Sequence, residues 1–359
     1  MIQSTKPRFW LAAACALLLA AGCTPEPASP AQRLRDAAAA GTPLYGHQDD
    51  LLYGHSWNAT LDDDLELGRS DVRDVCGGYP AILGLDLGGI EVEAARNLDG
   101  NYFELMRLAA IKHHERGGIV TLSWHLRNPL TGGDSWDVSS DRVVASILPG
   151  GEKHDDFVVW MDRAADWILS LKGPDGKQIP VLWRPWHEHS GSWFWWGRGH
   201  CSDAEYNALW QMTYEHFRAR GIEGLVWAIS PNYMEQDFEQ WETRYPGDAY
   251  VDVIGLDCYA STDREAYIAR MRDGLASLQR MCEKHGKILA VTETGLEGLP
   301  DPHWWTGALA PALKGFPVSY VLTWRNASDR PGHYYAPFAG EPGAADFQVW
   351  VKENKIPML

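Results

Sequence analysis

Eight short apolar or β-branched runs recur along the chain, over residues 43–47, 81–87, 119–125, 180–186, 224–230, 253–259, 288–294 and 318–324. Each is long enough for a buried strand and too short for a helix. Most are separated by stretches with helical periodicity. Residues 101–115 set Phe103, Leu105, Met106, Leu108 and Ala109 along one stripe and stop before Gly117 and Gly118. Residues 157–171 repeat the pattern through Val158, Met161, Ala165, Ile168 and Leu169. Ser202 and Thr262, each followed three residues later by Glu, open further helices as capping boxes, and Gly286 closes the second of these. His113 and His114 fall on a helix and are expected to be solvated. Strands alternating with helices imply parallel βαβ units, so the fold class is α/β, a single (β/α)8 barrel spanning residues 41–359.

The N-terminal part reads differently. Residues 1–22 place Lys6 and Arg8 ahead of an apolar run and end in small residues before Cys23, the pattern of an export signal too short to cross a bilayer. Gly22-Cys23 resembles the lipobox of bacterial lipoproteins, with Ala20 where Leu is usual. On that resemblance Cys23 is lipidated and anchors the protein to the outer membrane; a soluble secreted or periplasmic protein is the alternative. Residues 23–40, rich in Pro and Ala, read as a tether. The formal charge of −16 becomes −18 once the two cations of the signal are lost, which argues against nucleic acid and anionic lipid surfaces and suits a neutral substrate. Cys76, Cys201, Cys258 and Cys282 form no CxxC pair, so no zinc site is indicated. An oxidising compartment leaves one or two disulfides open among them, with the pairing undetermined.

A barrel of this kind carries its chemistry at the carboxyl ends of its strands. There the third run delivers Trp124 and His125, the fourth Arg184, His187 and Glu188, the sixth Asp257 and Tyr259, the seventh Glu293, and the eighth Trp324 and Arg325. Glu188 lies beside Arg184 and just ahead of Trp193, Trp195 and Trp196. A carboxyl among aromatic faces is partly desolvated and keeps its proton to higher pH, as a general acid requires. Two carboxyls at the ends of strands four and seven suit a glycosidase, one protonating the leaving oxygen and the other attacking the anomeric carbon. The separation that distinguishes retention from inversion is not readable from spacing. His187 and His189 flank Glu188 in no known zinc pattern, so neither metal nor cofactor is implied. Trp195, Trp196, Trp304 and Trp305 fit sugar platforms and core filler equally.

The stretch from Arg184 to Gly197, with Val291-Thr-Glu-Thr-Gly295, resembles glycoside hydrolase family 26, a family dominated by retaining β-mannanases. The similarity runs from about Leu44 to the C-terminus, and Tyr45-Gly-His-Gln-Asp-Asp50 also resembles the family's first strand. The resemblance implies Glu188 as acid/base and Glu293 as nucleophile, with Arg184 and Tyr259 hydrogen-bonded to the nucleophile. It implies His187 near the sugar at the point of cleavage and Trp324 as the platform beneath that sugar. His125, Trp193, Asp257 and Arg325 match further substrate-site positions. A monomer acting on mannan or manno-oligosaccharides is therefore expected, either within chains or releasing mannobiose from their ends. Mixed-linkage β-glucan and β-1,3-xylan are the alternatives within the family, and a non-catalytic glycan-binding barrel the alternative outside it. The long insertion over residues 128–154 is expected to shape one wall of the cleft.

Overall fold

The computed structural model describes Met1 and residues 28–60, 67–235 and 238–359; the predicted export signal and Cys23 lie outside the described residues. Eight parallel strands close into one barrel: β1 (Leu44–Gln48), β2 (Ile82–Asp86), β3 (Ile119–Ser123), β4 (Val181–Arg184), β5 (Val226–Ile229), β6 (Val253–Ala260), β7 (Ile288–Leu296) and β8 (Tyr320–Thr323). Each falls within or across one of the eight predicted runs. β1 pairs with both β8 and β2, which seals the ring. Gly46 sits at this closure, where an added Cβ would stand 3.1 Å from Ile82 Cβ and 3.3 Å from Leu322 Cβ. Its lack of a side chain admits both neighbours.

Alternate strand residues form two apolar regions. Leu44, Ile82, Ile119, Leu182, Val226, Val253, Ile288 and Tyr320 join inside the lower barrel, while Leu83, Val120, Trp183, Trp227, Ile254 and Val321 pack outward beneath the helices. Higher in the barrel the inward positions turn polar, at Asp86, Ser123, Arg184 and Asp257. β7 carries one extra residue there. Leu256 pairs with Val291 but Asp257 pairs with Glu293, and on the other side Val321 pairs with Val291 and Thr323 with Thr294. The bulge at Thr292 re-aims the residue that follows it, Glu293.

Around the barrel lie helices α1 (Pro30–Ala40), α2 (Asp71–Cys76), α3 (Phe103–Glu115), α4 (Val143–Ile147), α5 (His154–Leu169), α6 (Asp203–Ala219), α7 (Arg264–His285), α8 (Ala310–Leu313) and α9 (Ala344–Glu353). α6 opens with the full capping box of Ser202 and Glu205, and α7 ends at Gly286 with φ 68°. The cap of α7 is Asp263 rather than Thr262, because the Asp263 carboxylate reaches Ala266 N at 3.0 Å. His113 is buried rather than solvated, packed under Gly118 on the inner side of α3. The β5–β6 crossover has only 3-10 turns among its described residues, at Phe238–Arg244 and Asp248–Tyr250. Cys76, Cys201, Cys258 and Cys282 are all free thiols, so the disulfides allowed by composition are absent among the described residues.

α1 corrects the reading of residues 23–40 as a tether throughout. Ser29 caps the helix, Pro30 occupies its first turn and Gly41 ends it with φ 65°. Its Leu34 and Ala37 are buried with the inner strand residues, closing the base of the barrel. A Pro- and Ala-rich composition had masked this amphipathic turn of chain. Leu34→Ala is expected to lower stability by about 2–5 kcal/mol in urea unfolding while leaving the opposite face of the barrel unaltered.

Candidate active site

Arg184 ends β4 pointing into the barrel, almost fully buried. One guanidinium nitrogen donates to Asp257 Oδ2 and to Ser230 Oγ, both at 3.0 Å, and the other donates to Glu293 Oε1. Tyr259 OH donates to the second oxygen of Glu293 at 2.6 Å. Both oxygens of Glu293 are therefore held by donors, and the residue is only 4% exposed. The bulge is what brings this about: Thr292 also turns inward, its hydroxyl donating to Asp257 Oδ1 at 2.5 Å. Gly295 follows with φ 147°, and a Cβ there would come within 2.6 Å of the Tyr335 ring. Asp257 is fully buried with only internal partners, so it braces Arg184 from below and does not reach the substrate position expected of it.

After Arg184 the chain turns sharply. Trp186 and Glu188 both adopt left-handed backbone, with φ 54° and 52°. Such conformations cost about 1 kcal/mol or more each in non-glycine residues and persist only where the surroundings over-determine them. Here the surroundings do. Glu188 N donates to Ser230 O at 2.7 Å, Tyr206 OH to Trp186 O at 2.9 Å, and Trp196 Nε1 to His187 O at 2.8 Å. Arg244, itself buried, donates to the carbonyls of His189, Trp196 and Cys201 and pairs with Asp203 at 2.7 Å. Trp195, Trp196, Trp304 and Trp305 are fully buried, which settles them as packing rather than sugar platforms. Trp193 alone of this motif's later indoles stays half-buried, and its Nε1 donates to Glu188 Oε2 at 2.7 Å.

Burial raises the Glu188 carboxyl well above the usual carboxylate range, and the nearby charges of Glu293 and Asp257 push it further; Trp193 opposes this weakly. Glu188 thus holds its proton to higher pH than an ordinary carboxyl, and Trp193 occupies only its Oε2. Further groups gather at the mouth. His187 Nε2 lies 3.0 Å from His125 Nε2, and the Trp324 ring stands edge-on to His125 at 6.2 Å. Arg325 is fixed by Asp99 at 3.1 Å and by Tyr53 OH at 3.2 Å. Two neighbours were not anticipated. Asp86 bonds His125 Nδ1 at 2.7 Å, and Trp136, on the insertion and 48% exposed, stacks on the His125 ring at 5.4 Å. Asp86 had a signal, since it is an inward-parity carboxylate in the second strand run; Trp136 had none beyond its loop.

A model of this family, described as glycosyl hydrolase family 26, matches residues 41–295. The chain belongs to that family. A mannan endo-1,4-β-mannosidase of Bifidobacterium adolescentis is 30% identical over 85% of this chain and 33% of its own length. A protein of the same name from Bacillus subtilis is 28% identical over 70% of this chain and 68% of its own. The chain thus spans only a third of the Bifidobacterium relative. Among solved structures, a β-mannanase from Bacteroides ovatus superimposes with TM-score 0.87 at 46% identity, covering 91% of this chain and 93% of that one. An endo-β-1,4-mannanase from Cellulomonas fimi superimposes with TM-score 0.78 at 32% identity, covering 91% and 75%.

Because its folded pKa is raised, Glu188 lends its contribution to stability fully below the ordinary carboxyl range and loses it as pH rises through the raised value. Glu188→Gln removes the buried charge and its repulsion with Glu293. It is expected to be more stable than the wild type by roughly 1 kcal/mol at alkaline pH, with a flatter stability–pH curve in urea titrations.

Proposed function

We propose that this chain is a retaining β-mannanase that hydrolyses β-1,4-mannosidic bonds in mannan, galactomannan or manno-oligosaccharides. The observation that carries the reading is the division of labour between two carboxyls in one mouth. Burial raises the Glu188 carboxyl well above the usual carboxylate range, whereas Glu293 presents both oxygens to donors from Arg184 and Tyr259. Glu188 gives its proton to the glycosidic oxygen as a Glu293 oxygen attacks the anomeric carbon, forming a glycosyl ester and freeing the leaving sugar. Glu188, now a carboxylate, takes a proton from water, whose oxygen attacks the same carbon and releases Glu293. Arg184 stays paired with Asp257 while the charge of Glu293 is lost in the ester, so no buried cation is left alone.

His125, His187, Trp193, Tyr259, Trp324 and Arg325 line the site around these two groups, with Trp324 beneath the sugar being cleaved. The mannanase names of the relatives favour mannose over glucose or xylose. We also propose that the protein releases mannobiose from the ends of mannan chains, and that Cys23 carries the lipid that anchors it to the outer membrane. The active unit is a monomer in this reading.

Incubation with mannohexaose and unsubstituted mannan, followed by chromatography, tests the substrate and the mode together. Early mannobiose is expected; a ladder of intermediate lengths would replace chain-end action by cleavage within chains. Inertness toward mannan, mixed-linkage glucan and β-1,3-xylan alike would leave only a glycan-binding barrel. Proton NMR of the first product is expected to show the β-anomer. Glu293→Ala is expected to lose at least about 10⁴-fold in kcat, and Glu188→Ala to lose about 10²–10⁴-fold with natural glycosides but far less with activated aryl leaving groups. Cys23→Ser is expected to move the protein from the membrane fraction to the soluble one.

A further inference from the structure

Asp86, at the inward end of β2, is a fully buried carboxylate without a role in the chemistry above. Four polar groups converge on it. Gly88 N and His125 N donate to Oδ1 at 2.7 and 3.2 Å, Ser123 Oγ donates to Oδ2 at 2.6 Å, and His125 Nδ1 lies 2.7 Å from Oδ2. Two backbone N–H groups and a hydroxyl already supply donors to the carboxyl, and with the neighbouring imidazole they hold it below the usual carboxylate range despite burial, so Asp86 is ionised. His125 Nδ1 therefore carries a hydrogen. At the far side of the ring, His125 Nε2 and His187 Nε2 are 3.0 Å apart, a distance that requires one proton between them. If that proton belonged to His187, Asp86 would be a buried anion facing a neutral ring.

The charges on every side decide where it sits. His125 faces Asp86 on β2, Glu293 on β7 and Asp99 from the loop after β2, the last of these shared with Arg325 at the end of β8. His187 instead faces Arg184 on β4, the imidazole of His189 and His125 itself, beside its chain neighbour Glu188. Carboxylates surround one ring, and the guanidinium of Arg184 lies beside the other. Trp136 adds to the asymmetry, because its indole face lies parallel to the His125 ring, within 16°, where it favours a cation. The directions of titration agree: the Asp86 partnership raises His125 above an ordinary imidazole despite burial, whereas burial and its cationic neighbours depress His187 far below one.

We propose that Asp86 is a positioning residue that holds the proton of the imidazole pair on His125, so that His125 Nε2–H is aimed at His187 Nε2 and both rings keep one orientation in the sugar site. This rests on reading the mouth as a saccharide site. The pair then offers a hydroxyl that enters between the rings one donor and one acceptor, and it places a fixed positive charge beside the two catalytic carboxyls.

The test has two arms. In 15N-labelled histidine spectra of the wild type, with His125→Asn identifying the signal, His125 is expected to be an imidazolium at pH 7 and to become neutral there in Asp86→Asn. In kinetics on manno-oligosaccharides, Asp86→Asn is expected to lower kcat/KM about ten- to a hundredfold at pH 7 and to recover part of that loss in acid, its alkaline limb moving to lower pH. A loss that is uniform across pH, or an imidazolium that persists in the variant, overturns the proposal. Should the variant fail to fold, a neutral His125 in the wild-type spectrum at pH 7 overturns it equally. The spectra need no substrate, so they separate failure of this inference from failure of the mannanase reading.

Discussion

The guanidinium of Arg184 serves two carboxylates at once, Asp257 beneath it and Glu293 beside it, inside a barrel with almost no solvent to share the load. Its placement follows from alternation along β4: Leu182 faces inward with the apolar layer, Trp183 faces the helices, and Arg184 returns inward where that layer ends. A lone cation at that depth would be costly, and so would a lone carboxylate. Together they form a network whose members come from β4, β6 and β7. The barrel must close in one register for them to meet. The bulge at Thr292 is part of the same constraint, because without the extra residue Asp257 would stand opposite Thr292 and not opposite Glu293.

The second carboxyl is governed by a different device. Glu188 sits on a turn that the backbone resists, with two left-handed residues in three, and the resistance is overcome by indoles and by Arg244. The tryptophans of this motif therefore divide. Trp186, Trp195 and Trp196 shape the turn from behind, whereas Trp193 reaches the carboxyl it supports. Aromatic density near a catalytic group is as much a matter of holding the backbone as of holding sugar.

The barrel and both carboxyls were legible in the chain because their signals are local: a run of apolar residues, then a polar residue at its carboxyl end. What was illegible depends on pairing between distant strands. Asp86 gains its meaning only when β2 and β3 align it with Ser123 and bring His125 over it. Asp257 looked like a substrate ligand until Arg184, Ser230 and Thr292 filled its surroundings. Arg244 belongs to a crossover with only 3-10 turns among its described residues and holds the motif through three backbone carbonyls of another segment, itself paired with Asp203. Helix α1 failed for the opposite reason: its punctuation, Ser29-Pro30 and Gly41, was local and present, but its composition resembled a linker.

That helix also sets the polarity of the molecule. α1 seals the end of the barrel where strands begin, and Ser29 opens beside the chain segments that enter β3, β4 and β5, around a cavity of about 1070 Å³. The mouth with Glu188 and Glu293 is at the other end. A group tied directly at Ser29 would therefore start from the floor of the barrel, on the side away from its opening.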